Sequence, residues 1–133
     1  MTTALEKELI SNVRSAPVIP ASCTCREALR VMFQHPESKC IVVCNAENEP
    51  LGLLMSERFF LIAAGRLGIG LFYREPVVNY MNRNPLITDI AAPLESLRTD
   101  AMNRLEMNRG DCVVVTSKGK FTGVVYIADL IRI

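Results

Sequence analysis

The feature that most constrains this chain is that it contains one pattern twice. Pro17-Val18-Ile19 and Pro85-Leu86-Ile87 open two segments 68 positions apart, and Arg26-Glu27-Ala28-Leu29 matches Leu94-Glu95-Ser96-Leu97 at the same offset. Cys40-Ile41-Val42-Val43-Cys44 then matches Cys112-Val113-Val114-Val115-Thr116 at an offset of 72, so the helix region of the second copy is expected to be longer by four residues, about one turn. Gly52-Leu53-Leu54-Met55 matches Gly123-Val124-Val125-Tyr126 at an offset of 71. A unit of about 50 residues is too small to bury its apolar faces alone, so the two copies are expected to pack as one module about a pseudo-two-fold axis.

Period and punctuation predict the elements of each copy. Thr24 with Glu27 forms a capping-box pattern, and Ala28, Leu29, Met32 and Phe33 lay one apolar face on a helix ended by His35-Pro36. The counterpart starts at Pro93, with Leu94, Leu97, Ala101 and Leu105 as its stripe. The runs beginning at Cys40 and Cys112 are β-branched and lack polar alternation, as central strands covered on both faces do. Polar turns, Asn45 to Glu49 and Ser117 to Lys120, lead into hairpin partners at Leu51 to Met55 and Phe121 to Tyr126. Each copy thus reads as strand, helix, strand, strand, helix, an α+β fold. Thr3, Glu6, Leu5, Leu9 and Val13 mark a further helix before the first copy.

Composition narrows the function. The apolar fraction of 50% excludes disorder, while the longest apolar stretch, Phe59 to Phe72, is broken by Arg66 and three glycines and predicts a buried helix and a linker rather than a bilayer span. Nine basic and eight acidic residues precede position 84 and six of each follow it, so neither half carries the excess that nucleic-acid binding demands. No basic segment, apolar run and cleavage site opens the chain, which predicts a cytoplasmic protein with reduced cysteines.

This order, with a glycine entering the last strand and an acid three residues past its end, resembles the tandem cystathionine β-synthase (CBS) domain pair, or Bateman module. Residues 1–15 then form an N-terminal helix, 16–64 the first CBS motif, 65–75 a linker and 76–133 the second motif. The stretch Arg74-Glu75-Pro76-Val77-Val78-Asn79-Tyr80-Met81, with Asp111 to Val115 and Asp129-Leu130, is also similar to CBS pairs preceding diguanylate-cyclase or phosphodiesterase domains in bacterial signalling proteins. The end of the chain close after Leu130 leads to the expectation of a domain cut from a longer protein with a C-terminal effector. The resemblance implies clefts between paired motifs that take AMP, ADP, ATP, NAD or S-adenosylmethionine, homodimers, and a regulatory, non-catalytic role. A ligand-free structural dimerisation module is the alternative.

The resemblance also implies site residues. A carboxylate that follows, after two intervening residues, a strand ending in Thr or Ser accepts hydrogen bonds from the ribose hydroxyls; here that is Asp129, with Tyr126 in place of the small hydroxyl. Asp129 reads equally as an acid in the first turn of a helix, stabilised by the helix dipole. In the first copy Met55 and Arg58 stand at these positions, so that cleft is expected to be empty or altered. Arg58 is then either a contact for the phosphates of a ligand held by the second copy or a solvated surface residue. The adenine is expected against Pro85, Leu86, Ile87 and Thr88, with Val113 or Val114 as a wall, although each apolar residue taken singly reads first as core packing. Gly52 and Gly123 mark a bulge or a close ligand approach.

Cys40, Cys44 and Cys112 are expected as small buried hydrophobes, while Cys23 and Cys25, at a helix start where the dipole favours a thiolate, are a candidate redox or metal pair whose role the sequence leaves open. One histidine, His35, is too few for a zinc site or a nucleophile–base pair, and Gly65, Gly68 and Gly70 match neither phosphate-loop pattern.

Overall fold

The computed structural model describes residues 9–65, 69–104 and 106–132. The fold is α+β, with two three-stranded sheets of identical topology, one in each of two compact units. One unit is Ala16–Pro85; the other joins Met1–Ser15 to Leu86–Ile133, so the segment before the first copy packs with the second. Thr3, Leu5 and Glu6 lie outside the described residues; residues 9–11 are helical, Leu9 is fully buried, and Val13 packs against the same core.

In the first unit β1 (Val18–Pro20) pairs in parallel with β2 (Cys40–Cys44), which pairs antiparallel with β3 (Pro50–Met55). The middle strand is buried at all five residues, as its unbroken apolar run requires. Helix α1 (Cys25–Gln34) starts at Thr24 with both halves of the capping box present: the Thr24 side chain accepts from the Glu27 N–H at 3.2 Å, and Glu27 accepts from the Thr24 N–H. Cys25, Ala28, Leu29 and Met32 face the core, but Phe33 is 72% exposed and stacks on Phe60, ring centroids 5.6 Å apart. The apolar stripe therefore ends one residue earlier than its spacing predicts, because Phe33 sits in the last turn beyond the covered stretch of the helix.

Helix α2 (Ser56–Ala64) follows β3 directly, and α3 (Ile69–Arg74) lies in what the repeat marks as linker. That linker is a core element: Phe72 is buried beside Phe59 and Tyr80, and α3 packs on α1. The segment after it joins the same unit, the Cys25 N–H donating to Glu75 O at 2.8 Å and the Val77 N–H to Cys23 O at 2.9 Å.

The second unit repeats the plan with β4 (Ile87–Asp89), β5 (Val113–Ser117) and β6 (Lys120–Val125), helix α4 (Leu94–Met102) and helix α5 (Ile127–Arg132). Leu94, Leu97 and Ala101 are buried; Leu105 lies outside the described residues. The four extra residues of the second copy do not lengthen its helix. α4 has nine residues against ten in α1, and the surplus sits in the following connection, which holds a 3-10 turn at Glu106–Asn108. Arg104 stops the helix there, its Nε donating to Ala101 O and its terminal nitrogen to Arg109 O and Asp111 O. The β5–β6 hairpin turns on Lys118 (φ 53°) and Gly119 (φ 80°), both left-handed, as a two-residue turn that follows strand twist requires.

Among the described residues, no helix is long and apolar enough to cross a membrane.

Candidate functional site

Each sheet receives a short crossing segment on the free edge of its last strand. In the first unit Asn82 and Leu53 exchange two backbone hydrogen bonds, of 3.0 and 2.8 Å; in the second, Arg14 and Val124 exchange two of 2.7 and 2.8 Å. Asn82 and Arg14 are 68 positions apart, so the crossing belongs to the repeat. This close approach explains the strand glycines. A Cβ on Gly123 would lie 2.6 Å from Arg14 O, and one on Gly52 would strike the Met81 side chain and come 3.0 Å from Asn82 O. What comes close to both glycines is the chain's own backbone.

Strand β6 ends at Val125, and the carbonyl of the next residue, Tyr126, accepts from the Asp129 and Leu130 N–H groups, both at 3.0 Å, and so turns the chain into α5. Asp129 is thereby set back beside the crossing segment. Arg14 Nε donates to Asp129 Oδ2 at 2.8 Å, Arg132 holds Oδ1, and the Arg14 guanidinium carbon stands 4.6 Å from the Tyr126 ring centroid. The Asp129 side chain is 4% exposed, whereas Arg14 and Arg132 are 52% and 73% exposed. This is a carboxylate at the rim of the unit, partnered by two wet guanidinium groups. The hydrogen bond from Arg14, followed by that from Arg132, holds the Asp129 carboxyl below the usual carboxylate range against the opposing push of burial. Asp129 in turn raises Arg14.

The other expected site residues are spread over the two units. Ile87 pairs with Val114, Val114 with Val124 and Val124 with Arg14, so Ile87 and Arg14 end one row across the second sheet. Ile87 is half-exposed, Thr88 is buried and its carbonyl accepts from Thr116, and Leu86 packs against the core. Val113 cannot wall a ligand: it is fully buried in the unit's core with Leu94, Leu97 and Val125, since strand alternation puts it on the opposite face from Val114. Pro85 is half-buried and falls in the first unit, as does Arg58. Arg58 is exposed and, with Met55, Phe59, Ile62, Tyr80 and Asn82, lines a cavity of about 20 Å³. That is room for about one water.

The cysteine pair departs from expectation. All five cysteines are buried thiols; burial, and then the charge of Glu27, push the Cys23 thiol up, opposite to a favoured thiolate. Among the described residues no cluster of three or more His, Cys, Asp or Glu side chains is arranged for a metal ion.

Arg14 is the site residue that sequence reasoning missed. Its signal was present in the 68-residue offset, which extends upstream of Pro17 and Pro85 to Val13-Arg14 and Met81-Asn82. What a repeat cannot reveal is that this stretch docks on the last strand beside Asp129.

Residues 77–133 match the family description of the CBS domain. No curated protein matches the chain. A CBS-domain containing protein from Agrobacterium tumefaciens is similar in structure over 99% of this chain and 93% of its own, with a TM-score of 0.70 at 19% identity. A CBS domain protein from Pyrobaculum aerophilum complexed with AMP is similar over 94% and 88%, with a TM-score of 0.69 at 20% identity. The cytosolic domain of the Mg2+ channel MgtE in complex with ATP is similar over 88% of this chain and 44% of its own, with a TM-score of 0.68 at 15% identity. The chain therefore has the fold of a CBS pair.

Proposed function

We propose that this chain is a regulatory module that binds an adenosine-containing nucleotide through its second CBS copy and passes the resulting change to an effector. The carrying observation is the Asp129 carboxylate, covered yet at the rim, four residues past the end of the strand that contains Gly123. It stands where the family resemblance puts the ribose anchor. The fold supports the reading, since one similar structure is complexed with AMP and another with ATP. Ile87 and Thr88 form the adenine edge of this site and Asp129 and Tyr126 its ribose edge. The chemistry is binding, carried out in the cytoplasm by a homodimer. The effector is an attached domain or a separate partner, with diguanylate cyclases and phosphodiesterases as the type the resemblance names.

A ligand-free dimerisation module is the second reading, favoured by the two arginines already on Asp129. Thermal unfolding with AMP, ADP, ATP, NAD and S-adenosylmethionine separates the two. A ligand at 100 times its Kd adds about 2.7 kcal/mol to native stability. Stabilisation of the wild type by at least one of these, and its loss in Asp129→Ala measured against that variant's own Tm, is the expected result. Failure of all five to shift the wild type leaves the dimerisation module.

A further inference from the structure

Arg14 and its counterpart Asn82 sit in the same backbone pairing, but only Arg14 reaches the acid of the helix that follows the last strand. In the first copy the equivalent of Asp129 is Arg58, so no carboxylate is present to receive a crossing residue. The two partners of Asp129 also differ in kind. Arg132 is three residues away on the same short helix, whereas Arg14 arrives from 115 residues away on the segment that precedes the first copy. Between them they take one carboxylate oxygen each, Arg14 on Oδ2 and Arg132 on Oδ1, so a ribose hydroxyl donating to Oδ2 competes with Arg14. The Arg14 guanidinium, lying over the Tyr126 ring, further covers the phenol face beside that carboxylate.

We propose that Arg14 is an internal latch on this site: its guanidinium occupies the Asp129 carboxylate in the free protein, and the ribose of an entering nucleotide must displace it. The inference rests on the nucleotide reading above and adds its regulation. Arg132 keeps a local contact whether the latch is open or closed. Arg14 by contrast lies on the N-terminal segment, whose backbone is paired with β6, so its release removes that segment's ion pair with Asp129 and is the change that ligand binding imposes there. Occupancy of the site and the state of that segment are thereby linked, each opposing the other by the same factor.

The test is calorimetric titration of adenosine and of AMP into the wild type, Arg14→Ala and Arg14→Met, the last keeping an apolar stem over Tyr126. A latch closed about nine-tenths of the time weakens apparent affinity about tenfold. Both variants should therefore bind adenosine about tenfold more tightly than the wild type. Adenosine carries no phosphate, so this arm is blind to any attraction between Arg14 and a phosphate. As a second readout, the NMR signal of the Arg14 Nε–H should move on saturation with AMP and should move likewise, without ligand, in Asp129→Asn. Adenosine affinity equal to or weaker than wild type in both variants would overturn the latch while leaving the nucleotide reading intact. Absence of binding by all three proteins would overturn the nucleotide reading and the latch with it.

Discussion

Replacing the strand glycines by alanine tests the crossing geometry most directly. A Cβ on Gly123 would meet Arg14 O and Val13 Cγ1, both at 2.6 Å, roughly 0.8 Å short of ordinary contact, which begins near 3.4 Å. Backbone cannot rotate out of the way as a side chain can, so the crossing segment must retreat. A retreat of that size takes the two Arg14–Val124 hydrogen bonds from 2.7 and 2.8 Å to the edge of useful geometry. Two such bonds contribute about 1–3 kcal/mol, and holding them in place against the clash costs a similar amount in strain. Gly123→Ala should therefore destabilise the protein by about 2–3 kcal/mol, a fall in Tm of roughly 8–12 °C at this chain length. At Gly52 the severe clash is with the flexible Met81 side chain, and Asn82 O at 3.0 Å has less to yield, so Gly52→Ala should cost only about 1 kcal/mol. Gly70, in α3 with nothing within 4 Å of an added Cβ, is the control: alanine there should stabilise by about 0.5–1 kcal/mol. Urea unfolding of the three variants gives the order. A Gly123→Ala protein as stable as wild type would refute the close backbone approach, and with it the need for a glycine at that position.

Two further expectations concern Asp129 and the exposed helix faces. Because Asp129 titrates below its ordinary range of about 4 in the folded state, its contribution to stability is present above that value and is lost as pH falls through the lower, folded one. The acid limb of the stability curve should thus be shallower in Asp129→Asn than in the wild type, and identical limbs in chemical unfolding between pH 5 and pH 2 would contradict the ion pair. Ile131 and Met102 are exposed beside a groove of about 180 Å³ lined also by Ala101, Leu130, Arg98 and Arg109, and Phe33 and Leu61 are exposed on the first unit. Light scattering should find a dimer that Ile131→Asp weakens with little change in monomer stability, and a wild-type monomer at high concentration would remove the proposed homodimer.

The duplicated pattern was enough to establish the α+β class, two copies of one strand and helix order, the central place of both Val-rich strands and the capping box at Thr24. These are consequences of short-range chemistry: period, β-branching, turn residues and a hydroxyl three residues before a glutamate. Other features were settled by tertiary structure. Phe33 matched the helix period yet found no cover, and the four-residue surplus became a connection because Arg104 captured the carbonyls at and beyond the end of α4. Val113 went to the core and Val114 to the opposite face because register, invisible in a uniform valine run, assigns each residue its side. The Cys23 thiol gained no activation because burial outweighed its place at a helix start. Above all, Asp129 could be singled out from local spacing, and Arg132 is its neighbour on the same helix, but its other partner, Arg14, lies 115 residues away. Only the folding of the N-terminal segment onto the edge of β6 brings Arg14 to it, and contacts between distant stretches of chain follow from which apolar faces are buried together, which local pattern does not specify.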